Sequence, residues 1–124
     1  MIELRAPWVA LSQMTLYGIH LGRRDVLAVN LRTGERRVCP VTEGIEAGEP
    51  SEMVLSRSGR VGWLGTIVHR ETSPRYQPLP TVGVCGPGGT TIIEASEGIE
   101  EGSLRLIGST LQWNRAGEVK SYAL

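Results

Sequence analysis

From Asp25 to Val41 the chain reads DVLAVNLRTGERRVCPV, apolar residues alternating with polar ones and the pattern breaking once, at Arg32 to Glu35. Alternation with a period of two predicts half-buried strands, and Arg-Thr-Gly-Glu supplies the turn between them. The stretch therefore predicts an antiparallel hairpin. The same texture runs through the whole sequence as short apolar runs bounded by Gly, Pro and Ser. With 16 glycines and seven prolines, few windows of ten residues escape a helix breaker. The pattern predicts an all-β domain.

The runs also align with one another. LSQMTLYG (11–18), LSRSGRVGW (55–63) and LIGSTLQW (106–113) share a leucine, a polar turn and an apolar strand start. AVNLRTGE (28–35) matches GVCGPGGT (83–90), and EGIEAG (43–48) returns as EGIEEG (97–102). The period is roughly 50 residues with about four strands per unit. Strands are expected at 8–12, 15–21, 25–31 and 35–41, then at 52–57, 60–69, 80–85 and 90–95, then at 103–107, 110–114 and 118–123. A proline-rich insertion, 71–80, interrupts the second unit. Residues 1–124 thus read as a single repeat domain with units of about 8–42, 52–96 and 103–124.

Four short antiparallel strands per repeat, glycine turns and a fixed linking phrase resemble the blades of a β-propeller. The hairpin VLAVNLRTGERRV is similar to the strand–turn–strand element of YVTN and PQQ-type repeats. The Trp-Asp dipeptide and the aspartate box are absent from the sequence, and the double glycine Gly88-Gly89 falls in a turn and not at a strand end as in kelch repeats. The resemblance implies four-stranded propeller-like blades, two complete and a third lacking its last strand. A ring needs roughly four to eight blades, and open sheet edges recruit other chains. Self-association is therefore expected to complete the ring. The segment MIELRA alternates like a strand and is expected to supply the missing outer strand of the third unit. Two chains would then make six blades about a twofold axis. A small sandwich or open barrel is the alternative that one chain could close alone.

Charge removes several partners from this picture. Thirteen basic and thirteen acidic residues cancel, so no global field draws nucleic acid or an anionic membrane. No window reaches the roughly 20 apolar residues of a membrane-spanning helix. The first residues lack a basic segment followed by an apolar run, which points to a cytoplasmic protein, or to a secreted one if the chain is a mature fragment. Cys39 and Cys85, 46 residues apart, are expected as two buried thiols. One disulfide remains open in an oxidising compartment.

Candidate chemistry is sparse. Glu43, Glu46, Glu49 and Glu52, echoed by Glu94, Glu97, Glu100 and Glu101, read as solvated linkers, because the sequence lacks the Asp/Asn/Gly density of calcium loops. His20 and His69 do not align in the repeat, so no metal site and no cofactor are expected. CGPGGT (85–90) reads as a hairpin turn and not as a phosphate loop. No catalytic residues are assigned. Trp63 and Trp113 occupy equivalent places and read as repeated packing, which leaves Trp8 and Tyr76 as candidates for a binding face. Arg36 and Arg37, with Arg23 and Arg24 flanking the same hairpin, could converge on an anion. The expectation is a non-catalytic scaffold or recognition module acting as a homo-oligomer, a dimer first, with a protein or glycan partner. A glycan-binding module and a fragment of a larger propeller enzyme are the alternatives.

Overall fold

The computed structural model describes residues 2–18, 21–44, 49–68 and 78–124. Among them the fold is all-β: eleven strands in three antiparallel sheets, and no helix. The first sheet holds β1 (Ile2–Arg5), β2 (Trp8–Gly18), β3 (Leu21–Asn30) and β4 (Arg36–Gly44). The second holds β5 (Glu49–Leu55), β6 (Val61–Val68), β7 (Pro78–Gly86) and β8 (Gly89–Ala95). The third holds β9 (Arg105–Ile107), β10 (Thr110–Arg115) and β11 (Glu118–Ala123). In every sheet consecutive strands are neighbours, so each is a simple meander.

The sheets stack face on face, with the second in the middle. Because successive side chains on a strand point to opposite faces, β6 sends Val61 and Trp63 one way and Leu64 the other. Val61, Trp63 and Cys85 pack with Trp8, Ala10, Val26, Ala28 and Cys39 of the first sheet. Leu64, Val82 and Val84 pack with Leu111 and Trp113 of the third. Gly62 lets the second and third layers approach closely: a Cβ there would lie 2.6 Å from a Leu111 methyl. Within the middle sheet, Gly83 leaves room for the Trp63 ring of the neighbouring strand. The central strands β6 and β7 thus bury side chains on both faces of the middle sheet.

Polar contacts fix the layers against one another. The Glu52 carboxylate on β5 accepts the N–H groups of Gly102 (2.8 Å) and Leu104 (3.1 Å), tying down the segment that leads into the third sheet. Ile99, in the same segment, is buried and forms an antiparallel bridge with Arg115. Glu94 pairs with Arg115 at 3.3 Å. At the first interface the Thr90 hydroxyl donates to the Pro40 carbonyl at 2.6 Å.

Three expectations are corrected. Residues 8–12 and 15–21 are not two strands: β2 runs unbroken from Trp8 to Gly18, since no Gly or Pro interrupts it and Ser12, Gln13 and Met14 keep pairing with Val26, Asp25 and Arg24. Ile2–Arg5 does not complete the third sheet. It is the first strand of the first sheet, turned at Ala6-Pro7 so that Ile2 pairs with Leu11 and Arg5 with Trp8. Cys39 and Cys85 are not two thiols. They form a disulfide between β4 and β7, with Cα atoms 5.6 Å apart, inside the first core. Sequence separation had concealed that the two strands face each other.

The other predicted strands lie where the turn residues place them, with glycines at positive φ in the turns: Gly34, Gly59, Gly108 and Gly117. With β1 counted, Trp8, Trp63 and Trp113 each stand on the second strand of their sheet.

Candidate functional site

The first hairpin turns of the three sheets gather at one end of the stack. A cavity of about 510 Å³ opens there, lined by Arg5 at the end of β1, Ser56, Arg57 and Ser58 in the β5–β6 turn, Gly108 and Ser109 in the β9–β10 turn, and Leu124. Its walls are held by local hydrogen bonds. The Ser56 hydroxyl accepts the Arg60 N–H at 3.1 Å and lies 3.0 Å from the Ser58 hydroxyl. The Leu124 N–H donates to the Ser109 carbonyl at 2.8 Å. Two arginines and three serines are among the lining residues, but the lining surface itself is mostly apolar.

Trp8, Arg36 and Arg37, expected to bind, are not among the residues lining this cavity. Trp8 is 6 % exposed, its indole flanked by Gly59 and by the Arg37 guanidinium 4.5 Å from the ring centroid. Arg37 also donates to the Ser58 carbonyl at 3.0 Å and pairs with Glu35 at 3.0 Å. Trp8 and Arg37 are therefore brought together, and together they lock the first sheet onto the β5–β6 turn. Arg36 alternates to the opposite face of β4 and is exposed. Tyr76 lies outside the described residues, as do His20 and His69.

The four arginines flanking the hairpin do not converge. Arg23 pairs across the sheet with Glu43 and Arg36 with Val29. Six residues of β3 separate these two registers, roughly 20 Å of extended strand. Arg23 is instead bound to Asp25 at 3.0 Å. Of the glutamates, Glu52 is committed to backbone amides, while Glu97, Glu100 and Glu101 are exposed. Among the described residues no group of three or more His, Cys, Asp or Glu is placed to hold a metal ion.

Sequence reasoning noted Arg57 as half of a short basic cluster, but missed Arg5 and Ser109. These residues come from different sheets, and no pattern along a strand says which sheets stack. No family model, curated protein or solved structure matches this chain.

Proposed function

We propose that the chain is a non-catalytic, propeller-like scaffold or recognition module that works as a homo-oligomer, most simply a dimer. The observation that carries this reading is the stack. Meandering antiparallel sheets lie face on face like successive blades, the middle one is buried on both sides, and the two end sheets each turn one face away from it. Such a stack is completed by adding further sheets at its ends. Trp8, Trp63 and Trp113 are spent on packing between these layers, which favours the scaffold over a sugar-stacking module. The buried Cys39–Cys85 bond favours an oxidising setting over the cytoplasm.

Light scattering after size exclusion, across a hundredfold range of concentration, tests the reading. A species near twice the 13.5 kDa chain mass supports it. A monomer at every concentration overturns it.

A further inference from the structure

The two ends of the stack are chemically unlike. On β1 to β4 the residues that alternate with those of the first core form rows across all four strands, exposed toward the edges and buried at Leu27 (3 %) on β3. The register places Ile2, Leu11, Leu27 and Val38 in one row and Leu4, Val9, Val29 and Arg36 in the next. Seven of these eight side chains are apolar. Ile2 is 71 % exposed, Leu4 68 % and Val38 45 %. Beyond the rows the face turns polar, with Gln13 and the Arg23–Asp25 ion pair. An apolar centre beside a polar rim is the anatomy of a protein interface.

The far face of the third sheet is built differently. Arg105 donates to Gln112 at 3.2 Å, to Asn114 at 3.4 Å and to the Ser103 carbonyl at 3.0 Å. Thr110 and Ser121 fall on the same face by register, and its exposed apolar residues, Ile107, Val119 and Ala123, lie around this network. Burying this network would desolvate a guanidinium and two amides without a new partner.

We propose that a second copy of this chain covers the outer face of the first sheet, the two β1–β4 faces packing on each other about a twofold axis. The proposal rests on the homo-oligomer reading and names the surface responsible. An apolar sheet face is complementary to itself, as a twofold interface requires, whereas joining it head to tail to the third sheet would set apolar rows against the Arg105 network. The size is adequate: at strand spacings of about 4.8 Å the face measures roughly 500 Å² per copy, and about 1,000 Å² in total is where specific interfaces begin. Arg36, on the edge strand, keeps its charged end in water while its stem lies along the apolar row.

Sedimentation velocity on the intact chain decides the matter with two pairs of substitutions at exposed positions. Leu4→Glu with Val38→Glu is expected to weaken the dimer by at least about a hundredfold, since each charge is buried twice in a twofold contact. Ile107→Glu with Val119→Glu is expected to leave it unchanged. Folding of each pair is verified by formation of the Cys39–Cys85 bond and by its unfolding midpoint. A dimer that survives the first pair, or is lost only with the second, overturns the face-to-face contact while leaving self-association standing. An unsubstituted chain that is monomeric throughout overturns both.

Discussion

The indole of Trp8 occupies the space that a side chain on Gly59 would need. A Cβ built there would lie 2.4 Å from the ring, and the glycine backbone has φ near +79°. The turn of the second sheet and the second strand of the first are thus fitted by the absence of a side chain. Gly59→Ala meets two costs, a left-handed backbone and a clash with a buried ring. It is expected to lower unfolding free energy by about 3 kcal/mol. Urea denaturation would measure this; a loss below about 1 kcal/mol would mean that the ring relaxes freely.

Arg37 closes the other side of the same indole. Its guanidinium contributes a cation–π contact, a hydrogen bond to Ser58 and an ion pair with Glu35. Arg37→Ala is expected to cost about 1 to 2 kcal/mol, and Arg37→Lys is expected to recover only part of it, because an ammonium cannot stack and fork together. A double-mutant cycle with Trp8→Leu should give a coupling of about 1 kcal/mol. A coupling of zero would remove the cation–π contact from the account.

These contacts mark where the sequence was readable and where it was not. The hairpins around Gly34, Gly59, Gly108 and Gly117 were legible because a turn needing positive φ selects glycine. β2 was misread because Ser12 and Gln13 look like a turn while pairing as an ordinary strand interior. That error hid that Trp8, Trp63 and Trp113 each stand on the second strand of a sheet, and assigned β1 to the wrong sheet. The disulfide and the cavity were illegible for a different reason. Both join residues from different sheets, and periodicity along a strand carries no information about which sheets stack.

Loss of the disulfide should be felt across the first interface. Cys39 and Cys85 close a loop of 46 residues between β4 and β7. Restricting the unfolded chain by a loop of that length is worth about 4 kcal/mol in the chain-entropy model, with typical measured values of about 2 to 4. Cys39→Ala with Cys85→Ala is therefore expected to lower stability by that amount, as is reduction of the intact chain under denaturant. Equal unfolding midpoints with and without reductant would show that the bond adds no stability to the packing of Trp8 and Trp63 around it.

Glu52 governs the second interface by other means. Its two oxygens receive the amides of Gly102 and Leu104, so one side chain on β5 positions the entry to the whole third sheet. Glu52→Ala leaves both amides without that acceptor and is expected to cost about 1 to 3 kcal/mol. Glu52→Gln keeps one strong acceptor and should cost about half as much. Amide hydrogen exchange separates a local effect from a global one. If Glu52 docks the third sheet, exchange in Glu52→Ala should rise at Gly102 and Leu104 and at Leu111 on β10, with protection in β2 and β3 retained. Uniform acceleration through all three sheets would mean that the stack unfolds as one unit, and that Glu52 adds only to its total stability.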